Sequence, residues 1–321
     1  MSLAIQTEDL TKVYRERSRN PVLALDHLHL EVRQGEIFGL LGRNGAGKTT
    51  LLRILTTLIR PSEGGATVMG HDVVRHAIDV RKNICVVLQE NATEQYLSVQ
   101  DNLATYARFH SIPRGEIPQL ARRVMEQFAL TEYRTQKVID LSGGLRRRLQ
   151  VAKVFMVDKP IVFLDEATTG MDPINKRATL DAIRSQAQAG RTIFLTTHIL
   201  QEAEELCDTF AIIDRGRLVA SGDLQTIKSL ASGVFDMTIT FTALTDELIE
   251  ELRRLPVLSL ERRNNTVVLS LRGKEITAVS LVTKLSAAHS ILHFEVTGAS
   301  LEDVFLELLA RQKPDDGKGP S

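Results

Sequence analysis

Ile37-Phe38-Gly39-Leu40-Leu41-Gly42-Arg43-Asn44-Gly45-Ala46-Gly47-Lys48-Thr49-Thr50-Leu51-Leu52 is the stretch that decides the fold. Its first five residues form a short apolar run, the signature of a strand buried on both faces. Three glycines follow at once, and helical periodicity then runs from Thr49 to Leu58, up to the break at Pro61. Strand, glycine-rich loop and helix is the order that a phosphate-binding loop demands. Gly42, Gly45 and Gly47 leave room for backbone N–H groups to wrap a β-phosphate, and Lys48 adds a compact positive charge for the β- and γ-phosphates. Thr49 can offer its hydroxyl to Mg²⁺, and the helix beginning near Gly47 points its positive end at the anion. Arg43, Asn44, Ala46 and Thr50 complete the candidate nucleotide-binding set.

The chain has 321 residues, enough for about two domains at roughly 150 residues each. Forty basic and forty acidic residues cancel to a net charge of +0, so no global basic field points to nucleic acid. Two cysteines, Cys85 among apolar neighbours and Cys207 in a helix-like stretch, fit buried thiols in a reduced compartment. The N-terminus has no basic and apolar leader, and no apolar run approaches the ~20 residues of a membrane span. The expectation is a soluble, cytoplasmic chain whose membrane function, if any, comes through a partner.

Outward from the loop, Leu3 to Thr7 and Val22 to Val32 read as strands. Val99 to about Leu130 reads as helical, interrupted around Ile112-Pro113-Arg114-Gly115. Ile161 to Leu164 and Thr192 to Thr196 are short apolar strands separated by a helix-like segment, the alternation of a parallel sheet. The composition turns small and polar at Lys228 to Gly233, where a linker is placed. Beyond it the pattern is βαββαβ, a small ferredoxin-like unit: strand 234–241, helix 246–255, strands 257–262 and 266–272, helix 276–288, strand 291–297. Ser300 with Asp303 marks a capping box for a final helix with Leu301, Val304, Phe305, Leu308 and Leu309 on one face. Expected domains are thus 1–228, 234–311 and a disordered tail at 312–321.

Two further elements carry chemistry. Asp165-Glu166 closes an apolar strand, where α/β sheets bind ligands: Asp165 suits support of Mg²⁺, and Glu166 suits polarising an attacking water. Leu141-Ser142-Gly143-Gly144 opens a helix, which is either an ordinary cap or a second anion-binding terminus. A chain rarely needs two such termini for one nucleotide, so a head-to-tail pair sandwiching ATP is the economical use of both.

Gly42 to Thr49, Gln89, Leu141 to Gly144, Asp165-Glu166, Gly170-Met171-Asp172 and His198 together resemble the ABC ATPase family in order and spacing, over about the first 225 residues. The resemblance implies an α/β P-loop NTPase domain with antiparallel β and helical subdomains, ATP and Mg²⁺ as cofactors, and a homodimer of ATP-binding subunits. It also implies a transmembrane permease as partner and a place at the cytoplasmic face of the membrane. It implies roles as well. Gln89 is similar to the glutamine that senses Mg²⁺ and water, and His198 to the histidine that contacts the γ-phosphate. Asp172 is similar to the aspartate at the dimer interface, Tyr14 to the aromatic that stacks on adenine. On the residues alone, Gln89 reads as a solvated glutamine, His198 as a locally satisfied histidine, and Tyr14 as a packing aromatic.

Two departures stand out. Leu145 replaces the usual glutamine, and Ala167 replaces a frequent proline. The serine-glycine-glycine element also runs into Arg146, Arg147 and Arg148. With Ser300 to Phe305, this variant resembles the branch that exports drugs, antibiotics or lipid-like compounds and carries a C-terminal extension. Consecutive helix positions lie ~100° apart, so the three arginines form no single nucleic-acid face; a mostly solvated set is expected. A ribosome- or DNA-acting relative of the same engine is disfavoured by the single nucleotide domain and the neutral charge. The C-terminal unit holds no cluster of titratable residues and is assigned to dimer contact or regulation.

Overall fold

The computed structural model describes residues 2–15, 20–88, 92–230, 234–255, 257–272, 275–298 and 300–311. Gln89 and the 312–321 tail therefore lie outside the described residues. Along the chain run β1 (Leu3–Tyr14), β2 (Val22–Arg33), β3 (Ile37–Leu41), α1 (Lys48–Leu55), β4 (Glu63–Val68), β5 (His71–Asp72), α2 (Ala77–Asn83) and β6 (Ile84–Val87). Next come α3 (Val99–Phe109), α4 (Ile117–Gln127), α5 (Gly143–Val154), β7 (Ile161–Asp165), α6 (Pro173–Gln188), β8 (Thr192–Thr197), α7 (Leu200–Leu206), β9 (Thr209–Asp214) and β10 (Arg217–Gly222).

β3 is the centre of a six-stranded sheet ordered β10-β9-β3-β8-β7-β6. All five of its residues are buried, and it pairs in parallel with β8 on one side and β9 on the other. β7 joins β8, and β6 joins β7, also in parallel. Strands buried on both faces are apolar along their length, which is why 37–41 and 161–164 show no alternation. Phe38, Phe194 and Phe163, from three adjacent strands, pack with ring centroids 5.4 Å apart. Each such buried ring removes apolar surface worth about 1.5–3 kcal/mol.

β2-β1-β4-β5 form a separate antiparallel sheet. β1 extends to Tyr14, well past Thr7, because several register shifts let it follow β2 to its end. The helical region divides where the sequence breaks: Ser98 caps α3 by accepting from the Asp101 N–H at 3.1 Å, and α4 starts after the Pro113–Gly115 turn. Phe128 stacks on Phe155 at 5.3 Å, joining α4's end to that of α5.

The chain divides into two compact units, 1–221 and 222–321. In the second, α8 (Leu224–Leu230) precedes β11 (Val234–Phe241), α9 (Asp246–Arg253), β12 (Val257–Arg263), β13 (Thr266–Arg272), α10 (Glu275–Ala288), β14 (Ile291–Gly298) and α11 (Leu301–Arg311). Its sheet order, β12-β13-β11-β14, is fully antiparallel, giving the ferredoxin-like βαββαβ unit. Phe235, Met237, Ile239 and Phe241 alternate inward at 0–2% exposure, the period-two pattern of a sheet with one covered face. The capping box of α11 forms as its residues require: Asp303 N–H donates to Ser300 Oγ and Ser300 N–H to Asp303 Oδ2, both at 3.1 Å. α8 packs with α11 and buries Ile227 completely, so the division between units falls before α8, earlier than the 228–233 stretch.

Candidate nucleotide-binding site

Parallel strands bring their carboxyl ends to one edge of the sheet. Leu41 ends β3 beside Thr197 of β8, and Thr196 stands beside Asp165 of β7. The glycine loop, Glu166 and His198 therefore leave neighbouring strands at the same edge, and Leu88 leaves β6 next to them. Val22, Leu23, Ala24, Asn44, Gly45, Gly47, Lys48, Thr49, Thr50 and Glu166 line a cleft of about 400 Å³.

The loop's shape depends on glycine at two positions. Gly47 has φ 109°, and a Cβ there would lie 2.6 Å from the Ala24 carbonyl oxygen; at Gly42 it would lie 2.6 Å from that of Ile213. Lys48 is 6% exposed, and its ammonium curls back to donate to the carbonyls of Gly42 at 2.8 Å and Arg43 at 3.2 Å. Burial pushes its pKa down, while Glu166 and Asp165 oppose that shift. α1 carries no acidic residue in its first turn and no side-chain cap, so no carboxylate of the helix itself offsets its positive end.

Asp165 is 2% exposed and accepts from Thr196 Oγ1 at 2.5 Å. Glu166 has φ 48°, and its N–H donates to Thr196, to the carbonyl at 3.1 Å and the hydroxyl at 3.2 Å. Its carboxylate accepts from His198 Nδ1 at 3.1 Å. With a carboxylate accepting, the Nδ1 position carries the proton. The sequence-designated pair Glu166–His198 is thus brought into direct contact.

Ser142, Gly143 and Gly144 stand elsewhere: none of them, and not Asp172, lines the cleft. Ser142 Oγ caps α5 by accepting from the Leu145 N–H at 3.3 Å, and Ser142 and Gly143 are exposed. Asp172 caps α6, accepting from the Asn175 N–H at 2.9 Å. That bond holds its carboxyl below the usual range, helped by the Asn175 side chain. A Cβ on Gly144 would come within 3.3 Å of Asp172 Oδ2, so the two loops lie side by side. Tyr14 is 37% exposed and pairs with Val22, a lining residue of the cleft. The Lys12 ammonium sits 5.3 Å from its ring centroid.

The expectation that Arg146 to Arg148 form a solvated set is overturned. Arg148 is 4% exposed and donates to the carbonyls of Phe128 at 3.3 Å and Ala129 at 3.0 Å. Arg146 donates to the Leu141 carbonyl at 3.0 Å, and Arg147 is turned inward toward β7. Backbone carbonyls at loop ends need donors, and a guanidinium can serve several at once.

Sequence reasoning also missed a buried carboxylate. Glu202 on α7 is 4% exposed, pairs with Lys176 at 2.6 Å and accepts from Thr168 Oγ1 at 2.5 Å. It ties the segment after Glu166 to the helix after His198. An acidic residue on a helix four positions past His198 carries no signal of burial. Both cysteines are free thiols; burial pushes that of Cys85 up to about 11 and that of Cys207 further still, which suits inert packing. No helix of the described residues is long and apolar enough to cross a membrane.

A family model described as ABC transporter matches residues 25–169. The chain is 35% identical to the daunorubicin/doxorubicin resistance ATP-binding protein DrrA of Streptomyces peucetius, covering 97% of this chain and 94% of that one. It is 33% identical to the Nod factor export ATP-binding protein I of Cupriavidus metallidurans, covering 98% and 100%. A solved ATP binding subunit of an ABC transporter superposes with a TM-score of 0.63 at 25% identity, over 70% of this chain and 92% of that one. Matched along nearly its whole length by such relatives, the chain belongs to the ABC transporter family as an ATP-binding subunit, the class that couples ATP hydrolysis to transport.

Proposed function

We propose that two copies of this chain close head to tail on two ATP molecules with Mg²⁺, at the cytoplasmic face of the membrane. Their closure and reopening drive export of a drug, antibiotic or lipid-like compound through a separate transmembrane permease. The observation that carries this reading is the separation of the two anion-binding termini. The cleft under α1 holds Lys48, Thr49 and Glu166 but no residue of 142–144, while Ser142 and Gly143 are exposed at the start of a twelve-residue helix. An exposed helix terminus with unmet N–H groups suits a second molecule's γ-phosphate.

Among the described residues no group of three or more His, Cys, Asp or Glu could hold a metal alone. That fits Mg²⁺, which in nucleotide sites takes few protein ligands and completes its shell with phosphate oxygens and water. Thr49 and Asp165, with Gln89, would hold it, and it would supply charge neutralisation at the β- and γ-phosphates. Gly42 to Gly47 and Lys48 bind the phosphates, with Arg43, Asn44, Ala46 and Thr50 as the rest of the cradle. Tyr14, beside Val22, offers a face to the base. Glu166 orients water for in-line attack, and His198 holds that carboxylate and reaches the γ-phosphate. Catalysis is then positioning and charge stabilisation. Cargo class rests on the relatives, one of which is named for daunorubicin/doxorubicin resistance and another for Nod factor export.

Complementation tests the pairing. Ser142→Arg and Lys48→Met chains should each be inactive, yet their mixture should regain part of the parental turnover. The mixed dimer pairs the intact loop of one chain with the intact Ser142–Gly144 of the other. No recovery on mixing, with dimers demonstrated by sizing, would exclude the shared site. For the unit beyond Gly233 the reading is dimer contact or regulation: truncation after Gly233 should leave ATP affinity within about threefold while changing dimerisation or transport coupling. A truncated chain matching the parent in both would remove that role.

A further inference from the structure

Arg147 lies three residues past Gly144 on α5, and its guanidinium does not face solvent. Nη2 donates to the carbonyls of Asp165 at 2.6 Å and Glu166 at 2.9 Å. Nε donates to that of Ala167 at 3.2 Å. Nη1 donates to the carbonyl of Leu88 at 2.9 Å and to Gln150 Oε1 at 2.8 Å. Gln150 Nε2 donates to the same Leu88 carbonyl at 3.1 Å, and Lys153 Nζ donates to the Ala92 carbonyl. Positions 147, 150 and 153 form one row on α5. That row reaches both flanks of the 89–91 segment and the whole turn out of β7.

We infer that Arg147 is a positioning residue, fixing the backbone that presents the Glu166 carboxylate, together with the Leu88 carbonyl, to the helix that begins with Ser142–Gly144. Three consecutive carbonyls, 165 to 167, are oriented by one planar fork. Glu166 sits among them at φ 48°, a conformation that a residue with a Cβ keeps only when its surroundings impose it. Removing the fork frees that turn to relax, and the carboxylate then leaves its line with His198 and the cleft. Lysine cannot substitute fully: a single ammonium has three donors and no plane. If α5 also caps the partner's nucleotide, Arg147 sits about one helical turn from that contact, so engagement at one site is felt at the Glu166 of the other. The inference rests on the assignment of Glu166 proposed above.

The test uses the full chain, purified alone and with its membrane partner, as Arg147→Met and Arg147→Lys. Steady-state turnover, MgATP affinity and melting temperature are measured for each. Arg147→Met should lower kcat on the order of 10²-fold, as misplacement of a reacting group does, with the Kd for MgATP changed by less than about threefold. Arg147→Lys should recover part of kcat. In a Glu166→Gln background, Arg147→Met should lower the residual turnover by less than about threefold, because it acts through the group already removed. Parental turnover in Arg147→Met overturns the inference while leaving Glu166 in place, provided Glu166→Gln is inactive. So does a kcat loss matched by an equal loss of MgATP binding, or a loss of the same size in both backgrounds, since either marks a purely structural role. If Arg147→Met does not fold, Arg147→Lys decides: reduced kcat at parental Kd supports the inference and parental kcat sinks it. Parental turnover in Glu166→Gln would strike the assignment on which the inference stands.

Discussion

Glu166→Gln should reduce ATP turnover by about 10²- to 10⁴-fold, the span attributed to a positioned acid or base, while leaving ATP bound. The substitution keeps the shape and still lets the side chain meet His198 Nδ1, 3.1 Å away in the parent. It removes the charge that the proposed mechanism uses to orient water. Because the backbone N–H is held by Thr196 at 3.1 Å, the turn itself should survive and MgATP affinity should stay near the parental value. Loss of the chemical step with binding intact predicts a further outcome: in the presence of ATP the variant should accumulate as a nucleotide-bound dimer visible by size-exclusion chromatography. A variant that turns over like the parent, or that never dimerises with ATP, would remove Glu166 from the reaction.

Lys48→Met should act one step earlier, weakening MgATP binding by on the order of 10²-fold or more. Lys48 is 6% exposed, so part of the cost of bringing its cation into a dry site has been met before nucleotide arrives. Truncating one member of a buried charge pair costs about 2–5 kcal/mol, and 1.4 kcal/mol corresponds to a factor of ten. Methionine preserves the stem and its packing while leaving the carbonyls of Gly42 and Arg43 without their donor. Titration with a fluorescent ATP analogue separates this from the Glu166 effect: one variant should fail to bind, the other should bind and fail to turn over. Parental affinity in Lys48→Met would mean that the loop amides carry the phosphates alone.

The two variants differ because their residues leave different strands. Lys48 opens α1 directly after the loop that follows β3 and, in the proposed mechanism, contributes charge to the ground state and transition state alike. Glu166 belongs to the turn after β7 and, in the proposed mechanism, acts only where water attacks. Their convergence depends on parallel pairing through β8, whose Thr196 holds both Asp165 and Glu166.

Much of this was legible in the sequence. Glycine at 42, 45 and 47 before Lys48 and Thr49 can be read directly, since backbone wrapping of a phosphate excludes side chains at those points. The apolar runs 37–41 and 161–164, and the alternation 235–241, fix strand type and burial because a side chain's face follows from its position in a strand. The capping box at Ser300 and Asp303 likewise formed where local spacing put it, as a contact between residues three apart requires no tertiary information.

What the chain's pattern could not decide were interactions whose partners are backbone atoms or lie far along the sequence. Three consecutive arginines look solvated, because charge favours water and periodicity sets no apolar face. Only the fold, by setting the carbonyls of 88, 128, 129, 141 and 165–167 within reach of α5, gives the three guanidinium groups their acceptors. Glu202 became a buried anchor in the same way, through Lys176 and Thr168. The loop Gly42–Thr49 was identifiable by composition alone. That its cleft holds Glu166 but no residue of 142–144 follows only from strand order, which brings β3, β8 and β7 together and starts α5 outside the cleft.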